Sequence, residues 1–173
     1  MATAETREDR CVRLLQEFDR PLRRLVASYE RDAARQQDLL QDIWLAVWQA
    51  LPRFRGDSSE RTFVFRIAHN RAVSHIDYSQ RRRSEPLDDD APLESPAPDP
   101  ERSLSTQQRH DQLRSAVQAL PVGLRQVVVL ALEGISHSEI ADIVGITENN
   151  VAVRLSRARA TLSRLMGAAE VHS

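Results

Sequence analysis

Apolar side chains recur every three or four residues along most of the first 84 positions, which is the spacing of one face of an α-helix. The first stripe consists of Val12, Leu15, Phe18, Leu22, Leu25 and Tyr29. Pro21 interrupts this stripe and predicts a helix break or the first turn of a new helix. A second stripe consists of Leu40, Ile43, Trp44, Val47 and Leu51. Pro52 follows it directly and is expected to end that helix.

A third helix is predicted over about residues 60–82, after a loop with the sequence RFRGDSS. The glycine and serines of this loop are turn residues, and Asp57, Ser58 or Ser59 can cap the helix that follows. The apolar stripe of this helix consists of Phe63, Val64, Ile67, Ala68, Ala72 and Ile76. Residues 1–84 are therefore predicted to form one small all-helical domain, which we call the first lobe.

Residues 85–104 have the composition of a flexible linker. The run SEPLDDDAPLESPAPDPE, at residues 84–101, contains five prolines and seven acidic residues but only two leucines. Such a segment is expected neither to form a helix nor to bury a core. Its acidity is expected either to be incidental to a plain tether or to draw two basic lobes together.

Residues 105–173 form the second lobe and are again predicted to be helical. One helix should end near Leu120, and another should cover residues 124–132. Ser136 and Glu139 have the S-x-x-E spacing of a capping box, in which each side chain binds a free backbone amide. The overall prediction is an all-α fold with two small helical domains and a flexible, acidic, Pro-rich linker between them.

The stretch after this capping box has the pattern of a helix-turn-helix. Gly145 supplies a left-handed turn residue, Ile146 an apolar plug, and Thr147 the cap of a longer helix. That helix has an apolar stripe consisting of Val151, Leu155, Ala158, Leu162 and Leu165. Beside it lies a polar, basic stripe, as in a helix that enters the DNA major groove. The alternative is a helical hairpin whose arginines are merely solvated.

The net charge of −1 hides segments of opposite sign. The first 85 residues have 16 Arg and 13 acidic residues, whereas residues 86–101 have six acidic residues and no Arg. Residues 102–173 have eight Arg and six acidic residues. All 24 basic residues of the chain are Arg, and the guanidinium group suits both phosphates and guanine edges.

The first lobe contains a second basic region. Residues 53–83 contain eight Arg and three acidic residues, interleaved with Phe54, Phe63, Phe65 and Tyr78. Basic residues with aromatic ones suit single-stranded DNA, whose unpaired bases stack on rings or enter pockets. The alternative is that Phe63 and Phe65 belong to the core. Trp44 and Trp48 are likewise expected in the core or at a partner contact rather than as base platforms.

Several other classes of protein find no support in the sequence. The N-terminus lacks the basic start and apolar run of a signal peptide, and no stretch approaches the roughly 20 apolar residues of a membrane span. Cys11 is the only cysteine, and the histidines are scattered, so no disulfide or zinc spacing is present. Without a Gly-rich phosphate loop or a nucleophile–base set, we expect a cytoplasmic, non-enzymatic protein that needs no metal or cofactor.

Four motifs, in this order, resemble those of extracytoplasmic-function sigma factors of bacterial RNA polymerase. They are a D-x-x-Q-D helix start, the LPRFRG loop, an R-I-A-x-N-R-A helix, and a block running from LP through GISHSEIADIVGIT to RAR. The resemblance covers nearly all of both lobes. It implies a sigma-2-like domain at residues 1–84, a linker at residues 85–104 and a sigma-4-like domain at residues 105–173.

The resemblance also implies partners and contact residues. Asp38, Gln41 and Asp42 would dock on the beta-prime clamp helices of core RNA polymerase, and the second lobe would touch the beta flap. The −10 promoter element would be melted and held by Arg53, Arg55, Asp57, Arg61, Arg66, Asn70, Arg71 and Ser74. The −35 element would be bound by Thr147, Asn149, Asn150, Arg154, Arg157 and Arg159. From their order along the helix, Asn149, Asn150 and Arg154 would face bases, and Arg157, Arg159 and Arg164 would face phosphates.

An anti-sigma factor is a further partner that the resemblance implies, for a factor serving a stress- or signal-responsive set of genes. The chain departs from relatives at the recognition helix, which opens TENNVAVR, and at His137–Ser138–Glu139, so the −35 sequence cannot be inferred. The alternative function is a stand-alone helix-turn-helix regulator that acts without core polymerase. That alternative leaves the basic region at residues 53–83 unexplained.

Overall fold

The computed structural model describes residues 6–84 and 104–170, which form seven α-helices and one 3₁₀ turn with no strand among them. The first lobe contains α1 (Arg7–Tyr29), α2 (Ala33–Ala50), a 3₁₀ turn (Leu51–Arg53) and α3 (Glu60–Ser84). The second lobe contains α4 (Leu104–Ala119), α5 (Val122–Leu132), α6 (His137–Val144) and α7 (Glu148–Glu170). The all-α prediction is confirmed, whereas the predicted linker lies almost wholly outside the described residues.

Helix α1 corrects two expectations about its sequence. Pro21 lies inside it, so the predicted break is wrong. The missing amide of an internal proline costs a helix about 3 kcal/mol, but burial of the apolar residues on either side offsets this. The buried face consists of Leu14, Phe18, Leu22, Leu25, Val26 and Tyr29. Val12 and Leu15, which the first stripe included, are 54% and 41% exposed.

The start of α3 is tied to α1 by charge. The carboxylate of Glu60 accepts hydrogen bonds from Arg10 Nε at 2.7 Å and from Arg13 Nη1 at 2.8 Å. The hydrogen bond from Arg13, ahead of that from Arg10, holds the pKa of Glu60 below its usual value despite partial burial. Ser59 caps the helix, because its Oγ accepts the amide of Thr62 at 3.0 Å. One of the predicted caps is therefore confirmed.

Within the first lobe, α2 and α3 pack on α1. As predicted, α2 ends immediately before the 3₁₀ turn that contains Pro52. Phe65 of α3 is fully buried and meets Phe18 of α1 edge to face, with 6.2 Å between the ring centroids. Edge-to-face ring pairs add stability beyond the area that they bury. Phe65 is therefore a core residue, which was the alternative given for it above, and not a ring on which an unpaired base could stack.

The second lobe has the local geometry that its motif predicts. Ser136 and Glu139 form both bonds of a capping box at the start of α6. Gly145 ends that helix with φ of 75°, a backbone angle that side chains with a Cβ rarely adopt. Thr147 Oγ1 then accepts the amide of Asn150 at 3.2 Å and caps α7. Val151, Leu155 and Ala158 are buried beneath α7, whereas Leu162 and Leu165 are only partly covered.

The two lobes pack against each other in this structure, which was one of the alternatives left open for the linker, although the helices that meet were not predicted. Helices α4 and α5 lie on α1, and α5 and α6 lie on α3. Buried apolar side chains of both lobes belong to one contiguous cluster. The second lobe therefore covers a face of α1 and α3 that the isolated first lobe would expose to water.

His69 of α3 makes stability depend on pH. The residue is buried, its Nδ1 has no hydrogen-bond partner within the described part of the chain, and burial lowers its pKa to about 4. The unfolded chain, with a histidine pKa of about 6.5, binds more protons between these two values. The free energy of unfolding should therefore fall by about 2–3 kcal/mol as the pH falls from 7.5 to 4.5. Urea unfolding at both pH values measures this loss.

The matched variants are His69→Leu, which removes the buried titrating group, and His137→Leu, which removes an exposed histidine. Only His69→Leu should flatten the pH dependence of unfolding. An equal loss of stability in the wild type and in His69→Leu would contradict this account.

Candidate nucleic-acid interface

The exposed side of α7 carries most of the predicted duplex-binding residues. Its buried side packs on α4, α5 and α6, which fixes the direction that the opposite side faces. The exposed residues of this set are Thr147, Asn149, Asn150, Arg157, Arg159 and Arg164. Asn149, Asn150, Arg157 and Arg164 share one side of the helix, whereas Arg159 is nine residues after Asn150 and therefore lies on the opposite side. The N-terminus of the helix is exposed, as a recognition helix that enters a groove requires.

Arg154 differs from its neighbours on α7. It is half-buried, and its Nη1 donates a hydrogen bond to the carbonyl of Gly123 in α5 at 3.4 Å. The Arg154 guanidinium lies against Gly123, since its carbon would be 4.0 Å from a Cβ atom placed on that glycine. The side chain therefore rests on the first turn of α5 and has to leave that carbonyl before it can reach a base.

The loop between α2 and α3 is anchored by an aromatic residue. Phe54 stacks on Phe63 with 4.6 Å between the ring centroids, and the Arg10 guanidinium lies 4.8 Å from the Phe54 centroid. Gly56 turns the loop with φ of 82°. Arg53, Arg55 and Asp57 are exposed around this anchor. Phe63 is thus half-buried under the loop rather than free to receive a base.

Helix α3 divides the predicted −10 residues between different faces. Arg66, Asn70 and Ser74 follow one another at intervals of four residues and lie along one side, where Asn70 and Ser74 are exposed and Arg66 is half-buried. Arg61 is nine residues before Asn70, which at about 100° per residue places it on the opposite side. It faces the second lobe, where its Nη2 donates to the main-chain carbonyl of Glu133.

The predicted polymerase-binding residues lie beside the predicted DNA-binding ones. Asp38, Gln41 and Asp42 are exposed on α2, and Arg71 Nη1 of α3 lies 3.4 Å from Asp42 Oδ2. Both ends of this pair are about half exposed, so the contact itself contributes little stability. A shallow groove between α2 and α3 is lined by Asp38, Leu39, Asp42, Arg71, Ser74, His75 and Tyr78. The two predicted surfaces therefore meet at Arg71 and Ser74.

The tryptophans of α2 are packing residues, as expected. The Arg7 guanidinium lies 3.9 Å from the Trp48 ring centroid, and Arg7 Nη2 donates to the Trp48 carbonyl at 2.5 Å. Trp44 is half-buried against the apolar cluster. Trp48 thus packs against Arg7, and Trp44 packs against the core.

Sequence reasoning missed the residues that join the lobes. Glu133, at the end of α5, has a side chain only 6% exposed and accepts Arg24 Nε at 2.8 Å and Arg24 Nη2 at 2.6 Å. Glu139 accepts Thr62 Oγ1 at 2.8 Å while it also caps α6. The hydrogen bonds from Ser136, and after them the one from Thr62, lower the pKa of Glu139. The one sequence signal that could have indicated Glu133 is its position as an acidic residue directly after the apolar run VVVLAL.

Residues 6–84 and 104–170 contain no cluster of three or more His, Cys, Asp or Glu side chains that could hold a metal ion. Within the same ranges, no helix combines the length and apolar character that crossing a membrane requires.

Comparison with known proteins assigns both lobes. Residues 14–82 match the family Sigma-70 region 2, and residues 110–162 match Sigma-70, region 4. The RNA polymerase sigma factor CnrH of Cupriavidus metallidurans is 32% identical over 139 residues, which are 76% of this chain and 73% of that protein. The ECF RNA polymerase sigma-E factor of Escherichia coli K12 is 32% identical over 132 residues, 70% of this chain and 69% of that protein.

Solved structures have the same fold. The structure of CnrH in complex with the cytosolic domain of CnrY has a TM-score of 0.68 at 25% identity and covers 91% of this chain and 88% of that one. The sigma factor RpoE of Bartonella quintana, in complex with the anti-sigma factor NepR, has a TM-score of 0.66 at 24% identity, covering 88% and 95%. The chain belongs to the extracytoplasmic-function sigma factors of RNA polymerase. It is accordingly a transcription initiation factor that confers promoter specificity on the polymerase.

Proposed function

We propose that this sigma factor binds core RNA polymerase through α2 and contacts a promoter through two separate surfaces. The exposed face of α7 would bind the −35 element, and the loop at residues 53–59 with the Asn70 side of α3 would open and hold the −10 element. Residues 1–84, 85–104 and 105–173 would act as the sigma-2-like domain, the linker and the sigma-4-like domain. The observation that carries this proposal is the capped helix-turn-helix with its exposed polar face on α7.

The first lobe supports the same function. Opening a base pair costs a few kcal/mol, so a melting surface has to capture an unpaired base as well as attract phosphate. The exposed Arg53, Arg55 and Asp57 on an anchored loop offer both charge and hydrogen-bonding groups for that purpose. We further propose that the protein acts as a non-enzymatic subunit in the cytoplasm, where the polymerase works.

An anti-sigma factor is the remaining proposed partner. RpoE of Bartonella quintana is in complex with the anti-sigma factor NepR in its solved structure, and its chain has the fold described here. A partner of this kind would keep the factor inactive until a stress or another signal releases it.

The function is tested by adding the purified protein to core polymerase and mapping transcripts on genomic DNA. We expect transcripts that start at defined promoters, together with permanganate-reactive thymines at their −10 elements. Sequence-specific duplex binding by the protein alone, with no core-dependent transcription, would instead favour a stand-alone helix-turn-helix regulator.

The α7 surface predicts two different effects of losing an arginine. Arg154→Ala should relax promoter preference at one base pair and cost roughly 1–3 kcal/mol there, because a base-edge contact is lost. Arg157→Ala should weaken binding to all promoters alike and lower the salt dependence, because a phosphate contact is lost. Polymerase binding to a set of −35 variants at several salt concentrations measures both effects. If Arg154→Ala leaves the preference intact, this orientation of α7 on DNA is wrong.

The α2 surface predicts a loss of polymerase binding on charge reversal. Asp42→Arg should weaken binding to core polymerase by on the order of 2–5 kcal/mol if the carboxylate meets a buried cationic partner. Gln16→Arg is the matched control, because it places the same side chain at an exposed position of α1, outside the proposed surface. Binding titrations with labelled factor measure the difference. Equal affinities of the two variants would exclude Asp42 from the interface.

A further inference from the structure

The second lobe is held on the first by one residue that contacts two helices at once. The carboxylate of Glu133 forms a two-point ion pair with Arg24 of α1, and its main-chain carbonyl accepts Arg61 of α3. Neither Arg24 nor Glu133 belongs to the proposed polymerase or promoter surfaces. Their pairing therefore calls for an explanation other than DNA or polymerase binding.

Two further polar contacts bridge the lobes. Glu139 accepts hydrogen bonds from the Ser136 amide at 3.0 Å and from Thr62 Oγ1 at 2.8 Å, so one carboxylate serves the starts of both α6 and α3. At the other end of the interface, Gln118 of α4 donates to the Ala27 carbonyl at 2.6 Å and accepts Arg31 Nε at 3.0 Å. The closed arrangement is thus specified by directional bonds as well as by apolar packing.

The closed arrangement is too small for the proposed promoter contacts. A compact fold of this length is about 40 Å across, by the usual scaling of radius with chain length. Elements named −10 and −35 lie about 20–25 base pairs apart, which is roughly 70–85 Å of B-form DNA. Lobes in direct contact cannot reach both elements at once. Promoter recognition therefore requires the lobes to separate.

The closed arrangement also affects the two DNA surfaces unequally. Arg61, one of the residues expected at the −10 element, donates to Glu133 and cannot bind phosphate with the same donor at the same time. Thr62, beside it, is bound to Glu139. The polar residues of α7 other than Arg154 remain exposed. Closure thus engages the start of α3 while it leaves most of the −35 surface open.

We propose that the Arg24–Glu133 pair, together with the bond from Arg61, is a latch that holds the free sigma factor in a closed, self-inhibited state. Binding to core polymerase opens the latch, separates the lobes and frees Arg61 for the −10 element. The proposal rests on the proposed function, because it assigns a regulatory role to the same promoter surface.

The physical basis of the latch is the burial of Glu133. Removal of Arg24 leaves a buried carboxylate without its counter-charge, which is far less favourable than the same carboxylate in water. Separation of the lobes exposes the Glu133 carboxylate to water. A variant without Arg24 should therefore favour the separated arrangement, in which this carboxylate is hydrated. If only a fraction of the free protein is open, its apparent affinity for polymerase is reduced by that fraction. Weakening the latch should therefore tighten polymerase binding.

The test compares Arg24→Gln with Arg23→Gln. Arg23 is adjacent in α1 but pairs with Asp19 of its own helix at 2.6 Å, so its loss leaves the lobe interface intact. Donor and acceptor dyes are attached to the full-length protein at Gln37→Cys and Ser163→Cys, exposed positions on α2 and α7, in a Cys11→Ser background. Arg24→Gln should shift the single-molecule distance distribution to longer values, and Arg23→Gln should match the parent protein. Identical distributions in all three proteins would overturn the latch.

A second readout is the affinity for core polymerase, which Arg24→Gln should tighten by roughly three- to tenfold. Glu133→Gln should likewise increase the distance between the lobes. It replaces Arg24→Gln in the test if circular dichroism shows that Arg24→Gln has lost its helical structure. The double variant should open no further than either single one, because residues that act as a pair are not additive. Additive opening would point to general destabilisation and would overturn the latch. Failure of every variant and of the parent to support transcription would refute the proposed function, while the distance measurement would still decide the latch.

Discussion

The rest of the structure depends on the burial of α1 between the other helices of its own lobe and the helices of the second lobe. Its apolar face is covered on one side by α2 and α3 and on the other by α4 and α5. Leu14, Leu22 and Leu25 are fully buried as a result. Because α1 also carries Arg10, Arg13 and Arg24, the same helix positions α3 through Glu60 and the second lobe through Glu133.

Ion pairs between arginine and glutamate fix how the helices are placed relative to one another. Arginine is suited to such interfaces, because its planar guanidinium forms two parallel bonds with one carboxylate. Arg24 does so with Glu133, and Arg13 contacts both oxygens of Glu60. The first pair joins the lobes, whereas the second is internal to the first lobe. A chain whose basic residues are all arginine thus uses one type of side chain both to join its lobes and, in the proposed function, to bind DNA.

Promoter recognition by this protein follows from local geometry and long-range packing together. The helix-turn-helix is set by Ser136, Gly145 and Thr147, all within twelve positions of one another along the chain. The −10 surface is assembled from a loop and one face of α3, and it borders α2 through the contact between Arg71 and Asp42. The helix-turn-helix keeps its geometry whatever the position of the second lobe. The −10 surface differs, because the start of α3 is bound to the second lobe when the lobes are closed.

Features that depend on neighbours along the chain could be read from the amino-acid sequence. The helices, the stop at Pro52, the capping box of α6 and the left-handed turn at Gly145 were all predictable, because periodicity, capping and backbone angle are local properties. Long-range packing was needed to fix the continuity of α1 through Pro21, the half-buried position of Arg154 and the contact of Arg61 with the second lobe. The pairing of Arg24 with Glu133 also lay beyond the sequence. Those residues are more than a hundred positions apart, and their contact exists because apolar burial brings α5 onto α1.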